Sequence, residues 1–271
     1  MTRRDVLITE MGLGPVWKLR GARPDSADQP AEVASPVSAP AVTPSDAVAP
    51  ATRRSAASLV PTRKSAAAGA DVLSAVDEGR QQRILGMDWI ELKATVAACE
   101  ACSLHKTRSN TVFGTGNESA EWMLVGEAPG AEEDARGEPF VGQAGKLLDN
   151  MLAALDMDRG QHVYIANVLK CRPPGNRNPD PAEVAQCSMH LVRQVALVKP
   201  RLILALGRFA TQALLGSEAS IASLRGKLHQ YQGVPVIVSY HPAYLLRNLT
   251  DKAKAWEDLC FARRTLLEAK A

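Results

Sequence analysis

The chain is 271 residues long, 46% hydrophobic but only 4% aromatic, and its 32 basic against 29 acidic residues leave a formal charge of +3. That balance argues against a bulk polyanion binder of the histone type, while local basic patches can still grip phosphates, because contact depends on where Lys and Arg sit. No segment approaches the roughly 18 apolar residues of a membrane span, and no apolar run of about 7–15 residues follows the charged start, so a soluble cytoplasmic protein is expected.

Composition then divides the chain. Residues 11–20 (MGLGPVWKLR) concentrate apolar side chains and Trp17 in a block too short to fold alone. It reads as a docking segment for a protein partner, as ordinary N-terminal disorder, or as a piece laid on a domain surface. Between Ala22 and Ala70, 29 of 49 positions are Ala, Pro or Ser, and no aromatic residue occurs between Trp17 and Trp89. Such a stretch buries too little apolar surface to offset roughly 1–2 kcal/mol of backbone entropy per ordered residue. Residues 1–80 are therefore expected to be a disordered Ala/Pro/Ser-rich tail carrying the short apolar block. Residues 81–271, with 22 basic and 20 acidic groups, suit one compact domain with its own core.

Within that domain Asp88 caps a predicted helix through Trp89, Leu92, Val96 and Ala97, which delivers Cys99 and Cys102 at its C-terminal end. Short apolar runs at Trp122–Val125, Val163–Val168, Leu202–Leu206 and Val234–Val238 have the length and β-branched character of buried strands. Helical patterns at about Ala144–Leu155, Ala182–Val198, Phe209–Leu215 and Lys252–Ala269 lie between and after them. Nearly continuous apolar strands separated by helices predict an α/β domain whose parallel sheet is covered on both faces, with its site at the C-terminal strand edges. Gly126-Glu127-Ala128-Pro129-Gly130, Asn167 and His241-Pro242 all fall at such edges. Singly, each is ordinary turn or capping chemistry; converging on one crevice, they make a candidate site.

The cysteines are a sharper signal. Cys99-x-x-Cys102 supplies two sulfurs within one turn, and Cys171 and Cys187 are separated by fifteen residues that include four prolines. Two ligand pairs, each closed by a local loop, suit a four-thiolate site, and thiolate chemistry alone accepts either zinc or an iron–sulfur cluster. Cys260, on the apolar side of the last helix, reads as a small core residue.

Taken together, Gly126–Asp134 (GEAPGAEED), Gly137–Leu148 (GEPFVGQAGKLL), Asn167–Arg177 (NVLKCRPPGNR) and His241-Pro242-Ala243 resemble the family 4 uracil-DNA glycosylases, the iron–sulfur members of the uracil-DNA glycosylase superfamily. The resemblance runs from about Cys99 to the C-terminal helix and does not reach the first 80 residues. It implies a three-layer α/β/α domain around a central parallel four-stranded sheet, a [4Fe–4S] cluster on Cys99, Cys102, Cys171 and Cys187, and a monomeric bacterial enzyme, active at the nucleoid, that excises uracil from DNA. It also places His241 to donate to the negative charge that develops on uracil O2 and N1.

The residue types suit that chemistry. A flipped base needs a flat apolar face, which Phe140 can supply unless it is plain core, and Gly126, in the Gly/Pro-rich ending of the first strand, is a candidate uracil-binding position. Asn167 can donate to uracil O4 and accept from N3–H, so cytosine would leave it mispaired in a dry pocket at about 1–3 kcal/mol per unsatisfied group. Ala128 stands where better-known members of the superfamily carry an Asp after Gly-Gln, so water activation falls first to Glu127 and then to Asp134. Glu133 is expected to line the pocket near uracil C5 and obstruct the methyl of thymine. Lys170, Arg172, Arg177 and Arg247 are candidate phosphate contacts, and Leu245 is either a wedge for the vacated base stack or helix core. The competing reading from another class is a non-enzymatic iron–sulfur or zinc DNA-binding module, for which Asn167 and His241 would be dispensable.

Overall fold

The structure is a computed structural model that describes residues 78–268, so the apolar block and almost all of the expected tail lie outside the described residues. Helices α1 (Glu78–Gly86) and α2 (Trp89–Ala97) precede β1 (Thr115–Gly116), β2 (Trp122–Gly126), α3 (Ala131–Arg136), α4 (Gln143–Ala153) and β3 (Val163–Asn167). There follow α5 (Pro181–Val198), β4 (Leu202–Leu206), α6 (Arg208–Leu215), α7 (Ile221–Leu224), β5 (Leu228–Tyr231), β6 (Val234–Ser239), α8 (Pro242–Arg247) and α9 (Lys252–Glu268).

The four expected strands pair in parallel in the order β3-β2-β4-β6. The sheet is wider than expected, because β1 adds antiparallel to β3 and β5 antiparallel to β6, giving six strands. Neither edge strand carries an apolar run: β1 is two residues long and β5 reads LHQY with alternate residues exposed. Short polar edges of this kind resist edge-to-edge association and leave no hydrophobic period to detect.

Alternation along each strand sorts the core into two layers. Met123, Val125, Ala166, Ile203, Ala205, Val236 and Val238 face Leu191, Val195 and Val198 of α5 and Ala210 and Leu214 of α6. Leu124, Val163, Ile165, Leu202, Leu204 and Ile237 face Leu148 and Leu152 of α4 and Leu259, Ala262 and Leu266 of α9. The result is the expected three-layer α/β/α arrangement. Helix starts are written in the sequence: Asp88 with Glu91 caps α2, and Asp180-Pro181 with Glu183 caps α5, both as reciprocal capping boxes.

Chain order sets the site. From β2 the chain crosses to β3 on one side and then to β4 on the other, so the strand order reverses between β2 and β4. Ligand crevices in such sheets open at the carboxyl ends of the strands flanking that reversal.

Candidate active site

The register places Gly126 directly opposite Asn167, so the ends of β2 and β3 are level. On the other side the backbone N–H of Gly207, just past β4, donates to Ser239 O at the end of β6 at 2.9 Å, two residues before His241. One cleft opens over these four strand ends, walled by Glu127, Glu133, Phe140, Asn167, Arg177, Arg208, His241 and Arg247.

Asn167 is 1% exposed, and its side-chain Oδ1 has no hydrogen-bond partner. A buried amide oxygen left open costs about 1–3 kcal/mol, so its natural complement is a donor on a ligand. Gly126 lies beneath it: a Cβ there would come 2.4 Å from Asn167 Oδ1 and 2.6 Å from Phe140 Cζ. Only glycine permits that approach.

Phe140 adopts φ +55°, an unusual value for a side-chain-bearing residue, and its ring stacks on His241 at 5.4 Å and 27°. Its position is held from several directions. Arg159 Nη2 donates to Phe140 O at 2.7 Å, and Glu133 Oε1 accepts from the backbone of Val141 and Gly142 at 3.0 and 3.1 Å. Gly145 of α4 lies so close that a Cβ would fall 1.8 Å from Phe140 O. Phe140 is both core and cleft wall.

His241 is the N-cap of α8, with Pro242 in the first turn, and its Nδ1 accepts from Ala243 N at 3.1 Å. In the neutral ring the proton therefore sits on Nε2. Burial, helped by the Arg247 charge, pushes its pKa down to about 4. At neutral pH the ring is uncharged and presents Nε2–H as a donor. Glu127 behaves oppositely: burial raises its pKa to about 7, with Arg208 pulling partly back. A buried carboxyl poised near neutrality is suited to general-base work.

Three sequence expectations are corrected. Asp134 does not line the cleft; it is 4% exposed, and its carboxylate accepts from Ser109 N at 3.0 Å and from Asn110 N at 3.4 Å, so it braces a loop. Lys170 does not reach DNA: it is 1% exposed, and its Nζ donates to Asn167 O at 2.8 Å and Gln194 Oε1 at 2.6 Å. Leu245 is no wedge, because it is buried against α4 and α9 while its neighbour Leu246 is exposed. Glu133 does line the cleft, but both its oxygens are held by backbone N–H groups, Oε2 by Gly130 N at 3.1 Å.

The remaining basic candidates differ in freedom. Arg172 Nε donates to Asn176 Oδ1 at 2.7 Å, and Arg177 forms a two-point ion pair with Glu183 at 2.5 and 3.0 Å at the cleft rim. Arg247 is exposed at the rim and forms no ion pair among the described residues. Sequence reasoning missed Arg208, which also lines the cleft and stacks its guanidinium over Phe209 at 4.5 Å. Its signal was the Gly207-Arg208 pair following an apolar strand, the same kind of strand ending that marked Gly126.

Elsewhere Cys99, Cys102, Cys171 and Cys187 line a single cavity with Arg108, Lys170 and His190. Burial raises the thiols of Cys102 and Cys171, and pushes Cys187 up to about 12. Among the described residues no three His, Cys, Asp or Glu side chains form a group able to hold one metal ion, although these four sulfurs face the same space. Cys260, on α9, is not part of it. Among the described residues no helix is long and apolar enough to cross a membrane.

Comparison with known proteins agrees with this geometry. The family model for the uracil DNA glycosylase superfamily matches residues 113–260. The type-4 uracil-DNA glycosylase of Archaeoglobus fulgidus is 49% identical over 159 residues, covering 56% of this chain and 79% of that protein. The type-4 enzyme of Pyrobaculum aerophilum is 43% identical over 181 residues, covering 64% of this chain and 92% of the other. That of Thermotoga maritima is 44% identical over 161 residues, covering 59% and 83%. With a family model spanning more than half its length and relatives matched over most of theirs, the chain belongs to the uracil-DNA glycosylase superfamily, among the type-4 enzymes.

Proposed function

We propose that this chain is a monofunctional hydrolase that flips uracil out of DNA and cleaves its N-glycosidic bond, leaving an abasic site for base excision repair. The observation that carries the reading is the open, buried Oδ1 of Asn167 set level with Gly126 in a cleft whose other wall is the Phe140–His241 stack. Uracil N3–H is the donor that oxygen lacks, and the Asn167 amide N–H complements uracil O4. Phe140 packs against the base, and Glu133 fixes the loop carrying it beside the wall that uracil C5 approaches.

Hydrolysis consumes one water. As the C1′–N1 bond breaks, its electron pair leaves on uracil N1, the water oxygen bonds to C1′, and the water proton passes to Glu127. His241 is uncharged at working pH, its Nδ1 accepting from Ala243 N, so it stabilises the leaving anion as a neutral donor whose Nε2–H points to O2. One such preorganised donor contributes about 3–4 kcal/mol. Arg177, Arg208 and Arg247 stand around the cleft mouth, where the phosphates flanking an extruded nucleotide pass.

The four cysteines are read as the seat of a [4Fe–4S] cluster. Four cysteines lining one cavity support a four-thiolate site, and the resemblance of the motifs to the iron–sulfur glycosylases favours the cluster over zinc, which the same ligands would accept. Bound there, the cluster supplies a covalent tie between the end of α2 and the Cys171–Cys187 segment and takes no part in hydrolysis. The enzyme is read as a monomer of the bacterial cytoplasm, active at the nucleoid, with residues 11–20 as the segment offered to a protein partner.

The test is incubation of an anaerobically purified, full-length protein with a labelled oligonucleotide carrying one uracil, followed by alkaline cleavage of abasic sites. Cutting at uracil, and not at cytosine or thymine in the same position, is expected. A protein that binds the oligonucleotide but never yields an alkali-labile site would leave only the non-enzymatic binding module standing.

A further inference from the structure

Outside the four cysteines lies a set of donors that the hydrolytic site does not use. Arg108 Nη1 donates to Cys171 Sγ at 3.2 Å and to Cys99 O at 2.7 Å. Arg80, from α1, reaches across with Nη2 3.7 Å from Cys99 Sγ and Nη1 3.0 Å from Gln186 O. Arg80 Nη2 also lies 3.3 Å from His190 Nε2. Guanidinium is only a donor, so His190 Nε2 accepts and its Nδ1 bears the hydrogen. That Nδ1 is buried with no partner, on a side chain 1% exposed that lines the cysteine cavity. The backbone N–H of Lys170 completes the set by donating to Cys187 Sγ at 3.3 Å.

Two arginine charges and the Lys170 N–H thus converge on the cysteine sulfurs, and His190, its Nδ1 buried and unpartnered, lines the same space. A [4Fe–4S] core held by four thiolates carries net negative charge and presents sulfide acceptors. Hydrogen bonds to its sulfurs and nearby charge are the protein's main levers on its potential and durability. We propose that Arg80, Arg108 and His190 are positioning residues for the cluster. The arginines balance its charge and hold the Cys99 and Cys171 thiolates, and His190 Nδ1–H donates to a cluster sulfur. α1 thereby becomes part of the cluster site, although it lies before the span that matches the superfamily model. This rests on the reading that the cysteines hold a cluster.

The test uses full-length Arg80→Met, Arg108→Met and His190→Phe proteins, with Arg80→Lys as the charge-retaining control. Three quantities are measured: the absorption near 400 nm, its rate of bleaching in air-saturated buffer, and the one-electron midpoint potential of the bound cluster by film voltammetry. Removing a positive charge beside the cluster disfavours the more negative, reduced state. Each Arg→Met protein should therefore titrate at lower potential, by about a tenfold change in the one-electron equilibrium, or 59 mV. Bleaching should be several-fold faster in all three variants, and Arg80→Lys should restore most of the potential. Coloured variants with wild-type potential and wild-type bleaching would overturn the proposal. So would an Arg80→Lys protein as perturbed as Arg80→Met, since charge would then not be the cause. A colourless, iron-free wild-type protein would overturn the cluster reading beneath it instead.

Discussion

Glu127 makes the sharpest demand on the proposed chemistry. Its carboxyl is raised from 4.5 to about 7, mainly by burial. If its ionised form accepts the water proton, activity must follow its titration. With a pKa of about 7 the ionised fraction is about one-eleventh at pH 6 and ten-elevenths at pH 8, so kcat/KM for uracil DNA should rise about tenfold between them. An ordinary glutamate would be more than about 95% ionised at both and give a flat profile. His241, held near 4, is neutral at both pH values and adds no slope. The assay is single-turnover release from a labelled uracil oligonucleotide, with abasic-DNA affinity measured at each pH to remove binding effects. A flat profile, or a Glu127→Gln enzyme that keeps the tenfold rise, would refute the assignment. Linkage gives an independent check. Between about 4.5 and 7 the folded state holds this proton more tightly than the unfolded chain, so stability falls across that window and the cost persists above it. The gain in Tm of Glu127→Gln over the parent should therefore be larger at pH 8 than at pH 5.

The other expectations probe the walls and floor of the same cleft. Gly145→Ala drives a methyl to within 1.8 Å of Phe140 O, so α4 or the Phe140 turn must retreat. About 1–3 kcal/mol of stability should be lost, and roughly 100-fold in kcat/KM if the ring moves by about 1 Å, measured by melting and by uracil release. Asn167→Ala should lower kcat/KM on uracil by about 5–150-fold, the equivalent of 1–3 kcal/mol, while abasic-DNA affinity stays unchanged; equal losses in both would point to a folding defect. Lys170→Met strands Asn167 O and Gln194 Oε1, so Tm should drop while the salt dependence of DNA binding is retained. A slope reduced by about 1 would mean that Lys170 does reach a phosphate. Arg247→Ala is expected to show that reduced slope, with little change in Tm.

The parallel core was legible because its four strands are nearly pure apolar runs, and three of the site's anchors stand at their ends, where backbone chemistry puts Gly, Asn and His-Pro. The register that sets Gly126 level with Asn167 was not legible, nor were β1 and β5, whose residues carry no hydrophobic period. Basic residues were the least readable. Lys170 and Arg172 are two positions apart in one motif, yet Lys170 turns inward under Asn167 while Arg172 stays partly exposed. Charge in a motif states what a side chain can do and says nothing about which way the chain turns it.

The carboxylates show what sequence alone could not separate and why the distinction matters to catalysis. Glu127, Glu133 and Asp134 crowd one motif, and each has the type expected of a general base. The fold satisfies two of them completely: Glu133 accepts from three backbone N–H groups, and Asp134 accepts from two. Carboxylates occupied by such donors serve as braces, Glu133 for the Phe140 loop and Asp134 for the Ser109 loop. Glu127 is placed in the cleft wall, and no donor among the described residues satisfies its carboxylate. Lacking those bonds it pays in desolvation, and the raised pKa that results is what makes a proton from water worth accepting near neutral pH. Assigning the base is therefore a question of which carboxylate the backbone left unsatisfied, and that is decided by where α3 begins and which N–H groups its first turn and the preceding loop present.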